Sequence, residues 1–130
     1  MSGILQFLIV GIGGFAGSCL RYAFTKLCKN CSFLLPIGTL AANVLAGLLI
    51  GIFIGLDDGA LPLPPRTKLL LTTGLCGGLS TFSAFSLETI TLFGSGKYFA
   101  AILNIILNLG ISLFAVASGL AIAKLLFKKT

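Results

Sequence analysis

The sequence has no histidine and no tryptophan, and only three of its 130 residues are acidic. Without histidine and without a pair of carboxylates inside its hydrophobic segments, the chain lacks the usual arrangements for general acid–base catalysis. We find no nucleophile placed beside a base either, so the sequence argues against an enzyme. Charged residues make up 9% of the chain, whereas a soluble domain carries about 25%. The composition is therefore not that of a soluble protein.

Long polar segments are also absent, because 57% of the residues are hydrophobic and most of them fall into four runs. The runs cover residues 4–24, 36–56, 69–93 and 98–123. A helix of about 20 residues crosses a bilayer core, so each run is long enough to span it. The first run has no basic leader and is too long for a signal peptide, so we interpret it as a helix. The sequence predicts an all-α integral membrane protein with one transmembrane domain, residues 1–130.

The net charge of +6 could suggest nucleic-acid binding, but the basic residues flank the runs as membrane anchors do. No basic stretch is interleaved with aromatic residues, so we exclude nucleic acid as a partner. With four spans, both termini and the 57–68 connection share one side of the membrane. That side carries Arg66, Lys68, Lys124, Lys128 and Lys129, and the other carries Arg21, Lys26, Lys29 and Lys97. Since Lys/Arg bias sets orientation, this near balance predicts insertion both ways up, which permits an antiparallel dimer.

The four cysteines give little functional signal. Cys19 and Cys76 lie inside apolar runs, where a thiol behaves as a small apolar side chain. Cys28 and Cys31 form a lone C-x-x-C in a loop, and with no second pair and no histidine a zinc site lacks ligands. Redox or disulfide chemistry is the alternative, and an incidental spacing is the interpretation that we favour.

Glycines in the first two runs have spacings that bring helices together. Residues 11–17 superficially resemble a dinucleotide fingerprint, but no strand precedes them and no acidic residue follows about 20 positions later. Small residues at these positions favour close helix contact instead. In the second run a four-residue stripe places one set of residues on one helix face: Thr39, Asn43, Gly47, Gly51 and Gly55. Within a membrane, the carboxamide of Asn43 needs a partner or water.

Residues 72–86 of the third run are poor in helix formers, with three glycines and six hydroxyl residues. Gly77-Gly78 followed by Ser80-Thr81 predicts a break near the bilayer midplane. A break frees backbone groups that are tolerated only inside protein or beside a water-filled cavity, where transported ions and bound cations are often found. A plain packing kink would explain the glycines, but it explains the hydroxyl groups less well.

Two aromatic residues follow that break. Phe82 and Phe85 are three apart, as are Ser83 and Ser86, so each pair lies on one side of a helix. Contact with lipid or core is the ordinary role of such phenylalanines. Because a benzene ring has a positive edge, a dehydrated anion could also lie against it.

In the fourth run, Asn104, Asn108 and Ser112 recur at four-residue spacing. This stripe predicts either the polar wall of a water-filled cavity or a set of interhelical hydrogen bonds, and the sequence favours neither interpretation. Charged residues near run ends are similarly open to interpretation. Arg21 is either a snorkelling anchor, which the residues alone favour, or a cation that attracts anions. Glu88 is expected near the interface, paired with a basic residue.

Three motifs resemble the CrcB (Fluc) fluoride channel family. They lie in residues 13–22 (Gly-Gly-x-x-Gly, then Arg-Tyr), 38–47 (Gly-Thr-Leu, then Asn and Gly) and 74–88 (Gly-x-x-Gly-Gly-Leu-Ser-Thr-Phe-Ser-x-Phe-Ser-x-Glu). The third is highly specific, and the resemblance covers essentially the whole chain. Ser80-Thr81 stands where many members have Thr-Thr, a change that keeps a hydroxyl group and a backbone carbonyl.

The resemblance implies passive export of fluoride down its electrochemical gradient by an antiparallel, dual-topology homodimer in the cell (inner or plasma) membrane, with two pathways. It implies a structural sodium ion at the dimer centre, held by the backbone carbonyls of Gly77 and Ser80. The pathway residues it implies are Asn43, Phe82, Phe85, Ser83, Ser86, Ser112 and the vestibule cation Arg21.

Two other functions compete with this expectation. A small dual-topology multidrug or cation exporter needs a carboxylate in its first span, but the acidic residue within the spans is Glu88 in the third, and tryptophan is absent. A non-transporting membrane subunit would explain the glycine faces. It would not explain the break or the polar stripes.

Overall fold

The computed structural model describes residues 2–31, 34–59 and 61–127. Its elements are α1 Gly3–Cys28, α2 Ile37–Asp57, α3 Pro65–Leu69, a π-helical segment Leu70–Cys76, α4 Gly77–Leu79, α5 Phe82–Gly94 and α6 Tyr98–Leu126. Among these residues, four stretches are long and apolar enough to cross a membrane: α1, α2, Pro65–Gly94 and α6. The prediction of an all-helical protein with four long apolar helices is confirmed. Lys128 and Lys129 of the predicted charge balance lie outside the described residues.

The outward surface of the helices is apolar. Phe7 is 81% exposed and Leu125 is 78% exposed, and both lie on the helices that begin and end the chain. Exposed apolar surface of this extent normally contacts lipid or another protein chain. Small residues such as Gly17, Gly51 and Ala115 are buried, in contrast, and Ala42, Ala46 and Leu79 form the buried core.

Glycines allow the helix backbones to touch. A Cβ added to Gly51 of α2 would overlap the Val116 carbonyl oxygen and stand 3.1 Å from Gly119 Cα of α6. A Cβ on Gly13 of α1 would stand 2.9 Å from Gly74 Cα in the π-helical segment. The close helix contacts predicted from the glycine spacing are therefore confirmed.

The third stretch changes backbone conformation after Leu79. Ser80 has a ψ of 151°, and Thr81 has a φ of −151° and a ψ of 118°, so both residues are extended. The helix resumes at Phe82, where the Thr81 hydroxyl caps it by accepting the Ala84 N–H at 3.2 Å. Gly77 and Gly78 themselves are helical. A Cβ on Gly78 would stand 3.0 Å from Gly14 Cα, so this glycine serves helix packing and not the interruption.

Candidate functional site

A groove with a volume of about 350 Å³ lies beside this interruption. We call it the polar groove. Its walls come from α2, from the third stretch and from α6, and they include Asn43, Gly77, Ser80, Thr81, Phe82, Phe85, Asn108 and Ser112. Six of the residues proposed from the sequence thus share one cavity: Asn43, Gly77, Ser80, Phe82, Phe85 and Ser112. Arg21, Ser83 and Ser86 do not line it.

Phe82 and Phe85 lie next to each other in the polar groove. Their ring centroids are 5.4 Å apart with an interplanar angle of 62°, which is an edge-to-face arrangement. Phe85 is 6% exposed, whereas Phe82 is 73% exposed. One ring is therefore anchored inside the chain, and the other points away from it, available to lipid or to a second chain.

The interruption leaves the carbonyl oxygens just before it without their helical donors, and those of Gly77 and Ser80 are among them. In a continuous helix, the Thr81 N–H would bond to Gly77 O and the Ala84 N–H to Ser80 O. Here the Thr81 N–H donates to Asn43 Oδ1 at 2.7 Å, and the Ala84 N–H donates to the Thr81 hydroxyl. Gly77 and Ser80 are the two residues whose carbonyls the sequence proposed as cation ligands, and both line the polar groove.

Asn43 finds protein partners on two sides. Its Oδ1 accepts the Thr81 N–H, and its Nδ2 donates to Thr81 O at 3.2 Å and to Asn108 Oδ1 at 3.0 Å. A carboxamide carries two N–H donors, so both are engaged. An anion in the polar groove would have to take one of these donors from its present acceptor.

The polar stripe on α6 has partners inside the chain. Asn108 Nδ2 donates to Asn104 Oδ1 at 2.9 Å, and Asn104 Nδ2 donates to the Thr89 hydroxyl at 3.0 Å. Asn104 is fully buried, so it makes interhelical hydrogen bonds, while Asn108 also lines the polar groove. Thr89 was missed by the sequence reasoning, since a threonine in an apolar helix shows no period that marks it.

Ser112 differs from its neighbours in the stripe. Its hydroxyl oxygen is buried in the wall of the polar groove and has no hydrogen-bond partner within the described residues. A buried polar atom left unpaired costs about 1–3 kcal/mol. The Ser112 hydroxyl is therefore available to hydrogen-bond a ligand, a water or a group of another chain.

Glu88 pairs differently from the sequence expectation. Its Oε1 accepts the Thr39 hydroxyl at 2.5 Å, and its Oε2 is buried without a partner in the described part of the chain. Within the described residues Glu88 makes no ion pair with a basic end residue, because α5 and α2 bring it beside the hydroxyl of Thr39 instead. The Thr39 end of the α2 stripe is consequently joined to a half-buried carboxyl group.

The remaining proposed residues, Arg21, Ser83 and Ser86, lie outside the lining of the polar groove. Arg21 Nε donates to Gly78 O at 3.2 Å, so the guanidinium binds the helix just before the interruption. Ser86 donates to Phe82 O at 2.8 Å, and Ser83 lies 3.3 Å from the Thr81 hydroxyl. Ser86 lines an adjacent cavity of about 310 Å³ that shares Phe82 and Phe85 with the polar groove.

Comparison with known proteins gives consistent results. Residues 8–120 match the family model described as CrcB-like protein, Camphor Resistance (CrcB). A relative from Clostridium perfringens (strain ATCC 13124), named "Fluoride-specific ion channel FluC", is 46% identical over 98% of this chain and 100% of its own. Proteins of the same name from Cupriavidus taiwanensis and Clostridium novyi are 45% and 40% identical. The first alignment covers 91% of this chain and 94% of the relative, and the second covers 98% and 100%.

Proposed function

Because the chain belongs to the CrcB-like protein family, we propose that it is a fluoride-selective channel that lets fluoride leave the cell passively. The observation that supports this best is the composition of the polar groove. Its lining combines amide donors, the Ser112 hydroxyl, which is buried without a partner in the described residues, and the edge-to-face pair of Phe82 and Phe85. These are groups that interact with a small anion without carrying a fixed charge.

We propose that fluoride passes along the lining of the polar groove. Fluoride is strongly hydrated, so a pathway must replace its water with hydrogen-bond donors and positive ring edges. Asn43, Ser112 and the phenylalanine edges would do this in the polar groove, and Ser86 would do so in the adjacent cavity. Ser83, in the first turn of α5, would contribute a further hydroxyl. Arg21 would raise the anion concentration at the pathway mouth. A narrow pathway of weak donors would exclude the larger chloride ion.

No energy source is needed for export. An inside-negative membrane favours exit of a monovalent anion by about 2.3 kcal/mol per 100 mV. The proposed mechanism makes and breaks no covalent bond, so the chain is a channel and not an enzyme.

The donor chemistry of the interruption fits a structural sodium ion. Hard cations take oxygen ligands, and the carbonyl oxygens of Gly77 and Ser80 lack their helical donors. No cluster of three His, Cys, Asp or Glu side chains occurs among the described residues, so the candidate ligands are carbonyls. When bound, sodium would supply a positive charge that favours anions in a low-dielectric setting.

We further propose that two copies assemble in antiparallel orientation. The Gly77 and Ser80 carbonyls of one chain are too few to surround a hard cation, and a second copy would double this set of oxygen ligands. The exposed ring of Phe82 and the open side of the polar groove would be covered by the same partner. The near balance of basic residues would let both orientations insert in the cell membrane.

Efflux from liposomes tests the function. Purified protein is reconstituted into liposomes that contain fluoride and chloride. The membrane potential that opposes anion efflux is then dissipated, and an ion-selective electrode follows the release of each ion. Rapid fluoride loss without comparable chloride loss is expected. Folded protein that releases no fluoride, or that releases both ions equally, would contradict the proposal.

Orientation is tested separately with Cys28 and Cys31, since both thiols are free. A thiol reagent that cannot cross the membrane should label about half of the chains in sealed vesicles if both orientations insert. Labelling of nearly all or nearly none of the chains would contradict dual topology.

A further inference from the structure

Four side chains from three helices form a continuous row of hydrogen bonds, which we call the carboxamide relay: Asn43, Asn108, Asn104 and Thr89. Asn43 Nδ2 donates to Asn108 Oδ1 at 3.0 Å, and Asn108 Nδ2 donates to Asn104 Oδ1 at 2.9 Å. Asn104 Nδ2 donates to the Thr89 hydroxyl at 3.0 Å. The row runs from α2 through α6 to α5.

The direction of the relay is fixed by backbone groups. The Thr81 N–H can only donate, so the Asn43 atom 2.7 Å from it must be the oxygen. The Asn104 carbonyl can only accept, so the Asn108 atom 3.1 Å from it must be the nitrogen. The Thr89 hydroxyl donates to Phe85 O at 2.8 Å and therefore accepts from Asn104. Each carboxamide in the row has one orientation that satisfies its neighbours.

Both ends of the relay meet the same short segment of the chain. Asn43 holds the N–H and the C=O of Thr81, and Thr89 holds the carbonyl of Phe85. Between these two points lies the first turn of α5, which carries both phenylalanines. The relay thus ties that turn to α2 and α6.

We propose that Asn104, Asn108 and Thr89 are positioning residues that hold the Asn43 carboxamide in one orientation at the polar groove. This inference rests on the proposed function, in which Asn43 contributes donors to the fluoride pathway. Asn104 is fully buried and Asn108 is 4% exposed, so neither can exchange its partners for bulk water. An anion that binds Asn43 Nδ2 therefore competes with two defined acceptors, Asn108 Oδ1 in the relay and Thr81 O.

The proposal can be tested at Thr89, the end of the relay that is farthest from Asn43. Thr89→Val removes the hydroxyl and leaves the Asn104 N–H without its acceptor. Thr89 does not line the polar groove, but it lines the adjacent cavity with Ser86, so the Asn43 amide signal is needed beside efflux to separate an effect through the relay from a change in that cavity. The effect should pass through Asn104 and Asn108 to Asn43. Thr89→Ser keeps the hydroxyl and should restore the wild-type behaviour. Thr91→Val is the matched control, because the Thr91 hydroxyl donates to Leu87 O at 2.8 Å in the same helix but lies outside the relay.

The NMR signals of the asparagine side-chain amides show directly whether a change at Thr89 reaches Asn43. The chain has four asparagines, and three belong to the relay, so protein labelled with ¹⁵N at asparagine side chains gives three relay signals. The fourth, Asn30, lies in the turn after α1 and serves as the internal reference. Spectra of the detergent-solubilised variants are compared with fluoride and chloride efflux rates from liposomes.

In Thr89→Val, we expect the signals of Asn104, Asn108 and Asn43 to shift while that of Asn30 stays in place. Fluoride efflux should fall roughly threefold to tenfold, the effect of losing about one net hydrogen bond. Thr89→Ser and Thr91→Val should match the wild type in both measurements.

An unchanged Asn43 signal in folded Thr89→Val, or an unchanged efflux rate, would overturn the positioning role. Thr89→Ala removes the same hydroxyl and repeats the test if Thr89→Val does not fold. If neither folds while Thr89→Ser does, the hydroxyl is structural and the proposal is wrong. A wild-type chain without fluoride efflux would instead contradict the proposed function, and the amide signals alone would then decide whether the relay exists.

Discussion

Asn43→Asp is the substitution that probes the wall of the polar groove most closely, because it changes the chemistry of one atom and hardly changes shape. Oδ1 can still accept the Thr81 N–H, but an oxygen replaces Nδ2. That oxygen would face Thr81 O and Asn108 Oδ1 at the present distances of 3.2 Å and 3.0 Å. Two hydrogen bonds become two oxygen–oxygen contacts.

The size of the expected loss in fluoride efflux follows from those two oxygen–oxygen contacts. Each net hydrogen bond contributes about 0.5–1.5 kcal/mol, so losing both costs about 1–3 kcal/mol before any repulsion is added. If the proposed pathway depends on this orientation, fluoride efflux should fall about 5-fold to 150-fold. Efflux from liposomes at neutral pH measures the loss, with protein amount and monodispersity matched between samples.

Asn30→Asp is the control for this experiment, since it makes the same chemical change in the turn after α1, away from the polar groove. It should leave efflux unchanged. If folded Asn43→Asp released fluoride at the wild-type rate, the assignment of Asn43 to the pathway would be refuted, even with the channel function intact.

Three further substitutions test separate parts of the account. Phe82→Ile should lower fluoride efflux at least tenfold by removing the positive ring edge, whereas Phe99→Ile, at a similarly exposed ring on α6, should not. Gly51→Val should destabilise the α2–α6 contact by about 3 kcal/mol or more, seen as a lower unfolding temperature, and Gly110→Val, where no heavy atom lies within 4 Å, should be far milder. Ser112→Ala should lower efflux without lowering the unfolding temperature, because its hydroxyl has no partner in the described residues.

The four membrane helices could be predicted because hydropathy and length alone determine whether a run can cross a bilayer. The glycine contacts could be predicted as well, since residues four apart share a helix face whatever the partner is. Gly51 of α2 and Gly13 of α1 indeed lie against the backbone of another helix. These properties depend on residues close together in the sequence.

The details of the candidate site depend on residues far apart. The sequence predicted a break over Gly77-Gly78 and Ser80-Thr81, and the structure divides this segment: Ser80 and Thr81 are extended, whereas Gly77 and Gly78 stay helical. Asn43, 38 positions earlier, accepts the Thr81 N–H, and no local pattern shows that pairing. Glu88 bonds to Thr39, 49 positions away, for the same reason. The pathway roles of Ser83, Ser86 and Arg21 remain predictions.

The reversal potential of the current through a planar bilayer containing the purified protein tests the central claim most directly. Chloride is kept equal on both sides, and fluoride is set at a tenfold gradient. A fluoride-selective channel should shift the reversal potential by about 59 mV toward the fluoride equilibrium value, the shift for a monovalent ion. A current that reverses near zero under this gradient, or that follows an imposed chloride gradient, would contradict a fluoride-selective pathway.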